Sequence, residues 1–243
     1  YREVVLTGIN LSLYGRELGL RLPDAVEAAA SVPGIDRVRI GSLEPELLTD
    51  ADIARLAAVP QLCGQFHLSL QSGCDATLAR MNRHYTTARY REIAGALREK
   101  FPGCAITTDV ITGFPGETPG EFAETCGFVR EMGFAMVHIF PYSERRGTAA
   151  ASMPDPVPME ERRRRASELA EITAGSARAF YEAQVGTVQM VLIEKKREPD
   201  WVRGYTPNYT PVRVRCADDR RGELLPVQIT EAGPEGCTGV FAG

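Results

Sequence analysis

A-I-T-T-D-V-I-T-G-F-P-G-E-T, residues 105–118, decides the fold. Its first half is a β-branched apolar run that reads as a strand, and its second half is a Gly/Pro turn. The turn runs into Thr118 and Glu121, a helix-opening capping box around Pro119, after which Phe122, Cys126, Val129 and Met132 continue one apolar face. Strand, turn and helix in that order make half of a parallel crossover unit.

The same grammar extends in both directions. Strand-like segments at 3–7, 37–40, 66–70, 105–111 and 135–140 are about thirty to forty residues apart, the length of a strand, loop and crossover helix. Between them, Thr49 and Asp52 form another capping box before Ile53, Leu56 and Ala57, and Tyr90, Ile93, Ala94 and Leu97 repeat a helical face. Alternating β and α with buried-looking strands predicts a parallel α/β sheet with right-handed crossovers, and five strands do not close a barrel. A turn-rich strap, 147–158, ends this first domain, expected over 1–158. A long connecting helix follows at 159–183, with Leu169, Ile172, Thr173 and Phe180 available to pack. The segment 184–243 turns to short strands at 188–194, 201–205, 212–216 and 224–232, which suggests a small all-β barrel of OB-like size.

Composition narrows the function. The 243 residues are 44% hydrophobic and 25% charged, an ordinary globular balance, and 28 Lys and Arg against 32 Asp and Glu leave a net charge of −4. That excludes a polycationic nucleic-acid coat but not a local basic patch. No apolar run reaches the roughly 18 residues of a membrane span and no secretion signal opens the chain, so a cytoplasmic protein is expected. The six cysteines fall in no CxxC or other metal-binding spacing, and no metal site is expected. Because the chain opens on Tyr1 and runs at once into a strand, it reads as a piece of a longer polypeptide.

In parallel α/β folds ligands sit at the carboxyl ends of the strands. Here those ends read T-G-I-N (7–10), G-S-L-E-P (41–45), Q-S-G-C (71–74), T-G-F-P-G-E-T (112–118) and P-Y-S-E-R-R-G-T (141–148). Each sets a polar side chain beside Gly or Pro, which allows close approach to the backbone. One such end is a turn; five together mark a shared ligand face.

Four blocks carry a resemblance: L-T-G-I-N-L-S-L-Y-G (6–15), L-Q-S-G-C-D-A-T-L-A-R-M-N-R-H-Y-T (70–86), D-V-I-T-G-F-P-G-E-T (109–118) and F-P-Y-S-E-R-R-G-T-A-A (140–150). In this order they resemble the signature blocks of the methylthiotransferases of the radical S-adenosylmethionine superfamily. With G-S-L-E-P and G-Y-T-P-N-Y (204–209), the similarity is greatest to the branch that modifies N6-threonylcarbamoyladenosine in tRNA. The resemblance implies a partial (β/α) TIM-like barrel of six strands, five of them here, followed by a small C-terminal RNA-binding TRAM domain. It implies S-adenosylmethionine as cofactor and two 4Fe-4S clusters, one held by a C-x-x-x-C-x-x-C loop. None of the six cysteines matches such ligands, so this chain alone is expected to be inactive.

Carried over by motif, Asn10, Glu44, Gln71 and Ser72 would face the methionine and ribose portions of the cofactor. The backbone from Val110 through Gly113 to Phe114 would line its adenine, and Arg145 would pair with a carboxylate. A 5′-deoxyadenosyl radical would abstract hydrogen from position 2 of adenosine 37 in the anticodon loop, where a methylthio group is inserted; no electron donor is implied. RNA contacts would fall to Lys195, Lys196 and Arg197, with Trp201, Tyr205 and Tyr209 stacking on unpaired bases. From Arg178 onward nine basic and nine acidic side chains balance, so such binding would depend on local placement.

Blander readings stand beside these. Glu44 could pair with Arg39, Cys74 packs as a small hydrophobe, and His67 belongs to a core strand as His138 does to the next. Arg162, Arg163, Arg164 and Arg165 read as a solvated helix face rather than a phosphate contact. Three rival functions remain: methylthiotransfer to isopentenyladenosine in tRNA, to a ribosomal-protein aspartate, or no catalysis at all in an RNA-binding module. An ordinary metabolic barrel is disfavoured because no G-x-G-x-x-G or G-x-S-x-G is present.

Overall fold

The computed structural model describes residues 1–198 and 200–242, and the side chains of 195–198 lie outside the described set. The expected RNA contacts Lys195, Lys196 and Arg197 therefore lie outside the described residues.

Strand alternation assigns the faces. In β5 (Ala105–Thr112), Ile106, Thr108, Val110 and Thr112 are buried, whereas Thr107, Asp109 and Ile111 on the opposite face are half-buried. β4 (Gln65–Leu68) and β6 (Met136–Pro141) flank it in parallel. Phe66 and Leu68 go to the core, and Gln65, His67, Met136, His138 and Phe140 go to the concave side.

The second strand line breaks at Gly41. Its first part, β2 (Arg37–Ile40), pairs with β1 (Glu3–Leu6), and its second, β3 (Ser42–Leu43), pairs with β4. Five parallel strand lines thus curve in the order β1, β2/β3, β4, β5, β6. Among the described residues β1 pairs only with β2, and its Val5 is 53% exposed, the mark of an open edge.

Helices α1 (Leu22–Ala30), α2 (Asp50–Ala57), α3 (Asp75–Arg80), α4 (Thr87–Lys100) and α5 (Pro119–Met132) fill the crossovers. Both capping boxes form: Thr49 Oγ1 accepts from Asp52 N and Thr118 Oγ1 from Glu121 N, each at 3.2 Å. The core between sheet and helices gathers Phe66, Leu68, Tyr90, Ile93, Val110, Phe122, Val129 and Leu169. Tyr90 packs edge-on to Phe128 and Phe134, and its hydroxyl donates to Leu68 O at 3.1 Å, so a fully buried phenol stays satisfied.

Helix α6 (Met159–Glu182) packs on β6, β5 and α5 and corrects the reading of its arginine run. Arg162 and Arg165 are 5% and 3% exposed, while Arg163 and Arg164 face solvent. Residues three apart on a helix share a face, so one polar run supplies an inner and an outer pair. Arg162 donates to Val157 O and Tyr142 O, fixing the strap to β6, and Arg165 meets Glu117 Oε2 at 2.7 Å beneath α5.

The C-terminal strands close a barrel in the order β10 (Leu224–Gly233), β11 (Gly236–Phe241), β9 (Pro211–Arg215), β8 (Trp201–Tyr205), β7 (Val188–Glu198). Strand β11 was not singled out in the sequence: G-C-T-G-V-F has few branched residues, and pairing with β9 and β10 makes it a strand. Val191, Ile193, Val202, Val212, Val214, Val227, Ile229 and Cys237 fill the interior, with Tyr181 of α6 against them. At Gly204 a Cβ would stand 2.2 Å from Leu192 O, so only glycine lets β8 approach β7 there.

The two parts meet through β2. Arg37 donates to Tyr205 O and Met190 O, and Arg39 to Pro207 O at 3.0 Å while also holding Glu3 at 3.1 Å. Asn208 Nδ2 reaches Gly103 O at 3.0 Å. No described helix is long and apolar enough to cross a membrane.

Candidate functional site

A cleft of about 480 Å³ opens at the carboxyl ends of β4, β5 and β6. Gln71, Asp109, Ile111, Phe140, Tyr142 and Arg145 line it. Gln71 follows β4 with φ of 69°, a left-handed conformation that a residue other than glycine adopts at a cost of about 1–3 kcal/mol. The ladder enforces it: Gln71 N donates to Asp109 O at 2.8 Å, and Ile111 N to Gln71 O at 2.9 Å. The backbone of Gln71 is thereby fixed where the residue lines the cleft. Arg145 comes from the loop after β6 and is exposed, with Thr148 N bonded to its carbonyl at 3.2 Å.

Of the residues singled out in the sequence, the structure brings Gln71 and Arg145 together here. Asn10 is exposed after β1, and its side chain makes no capping bond. Glu44 follows β3, with its backbone N–H on Ser12 Oγ at 3.0 Å and its carboxylate on Arg83 at 3.2 Å. Arg83, not Arg39, is its ionic partner, because Arg39 turns to Glu3 and the C-terminal barrel.

Ser72 is fully buried, 3.2 Å from Thr125 Oγ1, and ties the strand end to α5. Val110 is a core side chain, and Phe114 packs edge-on against Tyr142 with centroids 5.3 Å apart. Gly113 has φ of 69°, donates its N–H to Glu117 Oε2 at 2.8 Å, and lies so close to Arg162 that a Cβ would come within 2.4 Å of Cγ. This second layer braces the cleft from behind.

Burial shapes the electrostatics. Desolvation pushes the Glu117 carboxyl above its ordinary value against the pull of Arg165, while Arg165, held by Glu117 and Glu161, is raised. The raised arginine favours its charged form, whereas the raised carboxyl registers the cost of burying its charge. Burial also raises the thiols of Cys63, Cys74, Cys104, Cys126 and Cys237, so these five are not thiolates in waiting. Among the described residues no three cysteines come together, so the donor set of a 4Fe-4S cluster is not found in this stretch.

The expected RNA-facing tyrosines are already engaged. Tyr205 and Tyr209 stack on each other at 4.5 Å and 14°, and Arg39 lies 4.5 Å over Tyr209. Trp201 carries Arg213 at 4.9 Å.

Sequence reasoning missed one grouping. His67, Asp109 and His138 project from β4, β5 and β6 onto the concave face, with donor atoms within 4.8 Å of one another. The reading of His67 and His138 as core residues is corrected: Phe66, Leu68, Val137 and Ile139 take the helix-facing side, and period two sends both histidines to the other. The signal was the alternation itself, compared across three strands.

The profile of the Radical SAM superfamily matches residues 1–129. The chain is 38% identical over 243 aligned residues to the tRNA-2-methylthio-N(6)-dimethylallyladenosine synthase of Symbiobacterium thermophilum, covering 96% of this chain and 52% of that one. It is 34% identical over 241 residues to the threonylcarbamoyladenosine tRNA methylthiotransferase MtaB of Bacillus subtilis, covering 96% and 53%. It therefore spans about half the length of these relatives. Among solved structures, coproporphyrinogen III oxidase (HemN) of Escherichia coli, a radical SAM enzyme, shares the fold with a TM-score of 0.53 at 13% identity, over 86% of this chain and 51% of that one. Parallel strands curved into an open barrel, a cleft at their carboxyl ends and a profile match over more than half the chain agree: this chain belongs to the radical SAM superfamily.

Proposed function

We propose that this chain is the barrel and C-terminal part of a tRNA methylthiotransferase that modifies position 2 of N6-threonylcarbamoyladenosine at position 37, in the anticodon loop. The observation that carries the reading is the cleft, in which the motif residues Gln71 and Arg145 meet beside Phe140 and Tyr142. An amide, a guanidinium and aromatic walls suit S-adenosylmethionine, a nucleoside joined to a zwitterionic amino acid. When bound, that cofactor supplies the radical that activates the adenosine. The chain's own residues position and enclose. Gln71 presents a rigid hydrogen-bonding amide, Arg145 binds a carboxylate, and Phe140 and Tyr142 exclude water.

The scattered cysteines do not fit an iron-sulfur cluster, and no step is assigned to one within this stretch. The same mismatch supports inactivity of these residues when expressed alone. The five-stranded barrel serves as the TRAM-like RNA-contacting part, through Lys195, Lys196, Arg197 and Trp201, while Tyr205 and Tyr209 serve docking. A protein of this kind works in the cytoplasm, where tRNA is.

A second reading has one observation in its favour. The relative named for dimethylallyladenosine is 38% identical, against 34% for the one named for threonylcarbamoyladenosine. Mass spectrometry of tRNA nucleosides from a strain lacking the gene, with and without the full-length copy, decides between them. Loss and recovery of methylthio-threonylcarbamoyladenosine supports the proposal. Loss of the dimethylallyl nucleoside instead replaces it, and unchanged tRNA removes both.

A further inference from the structure

We propose that His67, Asp109 and His138 form a binding site for one first-row divalent transition-metal ion on the concave face of the open barrel. The site adjoins the cleft described above and shares Asp109 with its lining, but the argument for it does not rest on what that cleft binds. Two imidazole nitrogens and one carboxylate are a donor set suited to zinc, ferrous or manganous ions. They come from three adjacent strands, so the sheet's ladder, rather than a loop, sets their spacing: Asp109 pairs directly with His138 across β5 and β6, and His67 pairs with Thr107 across β4 and β5.

His67 Nε2 lies 3.4 Å from Asp109 Oδ2, and the other ring nitrogen, Nδ1, lies 3.0 Å from Thr107 Oγ1. The threonine therefore holds the ring with Nε2 turned to the carboxylate, as an outer partner does for a metal-ligating histidine. An ion about 2.1 Å from each donor needs donor separations of roughly 3–4.2 Å. His67 and Asp109 meet that, and the donor atom of the exposed His138 lies within 4.8 Å of both, so a modest turn of its side chain would complete the set. Among the described residues no lysine or arginine forms a salt bridge with Asp109.

The histidine count makes the test specific, because the third histidine, His84, is exposed and belongs to no such group. Zinc is titrated into the 243-residue chain against a chromophoric chelator, and the imidazole resonances are followed by nuclear magnetic resonance. One equivalent of zinc should bind, moving the His67 and His138 signals and leaving His84 in place. Asp109→Asn and His138→Gln should each weaken it at least about tenfold. Cys216→Ser, which removes the one half-exposed thiol, should change nothing. His138 is exposed, so its variant folds whatever its effect on zinc, and circular dichroism checks this. Equal affinity in wild type and both ligand variants, loss of binding on Cys216→Ser, a shifted His84, or no binding at micromolar zinc would each overturn the proposal.

Discussion

Arg165 and Glu117 show how far a residue's role depends on what lies over it. Their side chains are 3% and 1% exposed, and nothing but each other and neighbouring polar groups replaces lost water. Removing one partner of a buried pair strands the other charge, at a cost of about 3–5 kcal/mol. Arg165→Met should lower the unfolding free energy by that much in urea titration. Adding Glu117→Gln, which keeps an oxygen for the Gly113 N–H, should restore more than half; strictly additive losses would show that the pair is not coupled. Glu161, nearer solvent, makes a milder statement. Arg164 and Arg165 hold its carboxyl down to about 2, from an unfolded value of 4.5. A depressed folded value contributes stability above the unfolded one and loses it as pH falls from about 4.5 toward 2. Over that interval the melting temperature of the wild type should fall more steeply than that of Glu161→Gln. In the sequence these arginines were one charge run, because a linear string shows spacing but not which side a neighbour covers.

The elements were legible where period and punctuation agreed. Strand β5 and helix α5 follow directly from the β-branched run, the Gly/Pro turn and the Thr118 box. The break of the second strand line at Gly41 and the strand character of β11 were not legible, since both depend on pairing with distant residues. In the small barrel the contact of β8 with β7 is fixed by absence of a side chain. Gly204→Ala forces a Cβ against Leu192 O, and overpacking of this kind costs about 1–3 kcal/mol. Hydrogen exchange should then quicken in β7 and β8 and leave β5 unchanged; quickening everywhere would mean that the barrel and the sheet unfold together.

At the scale of the whole molecule, the joint between sheet and barrel is polar. Arg37 satisfies backbone carbonyls of β7 and of the end of β8, Arg39 one of the turn after β8, and burial pushes the Arg37 guanidinium below its usual value. The hydrogen bonds between sheet and barrel come from two arginines and Asn208, while Tyr181 of α6 adds an apolar contact, so the direct joint is specific but thin. Arg39→Met, which keeps the aliphatic bulk and removes the donors, should split calorimetric melting into two transitions, one for each part; a single transition at unchanged temperature would show that other contacts carry the docking. At this joint Tyr205 and Tyr209, expected to stack on bases, stack on each other beneath Arg39.

By itself the sequence determined the alternation of the five strand lines with helices, the starts of α2 and α5 at their capping boxes and of α6 at position 159, and the superfamily resemblance. Each of these rests on residues close along the chain: periodicity, capping boxes, and glycine or proline at strand ends. Tertiary structure alone decided which motif residues share a cleft, which arginines are buried, and that His67, Asp109 and His138 converge. Those facts depend on strand register and on what packs over each face, and register is set by hydrogen bonds between segments thirty or forty residues apart.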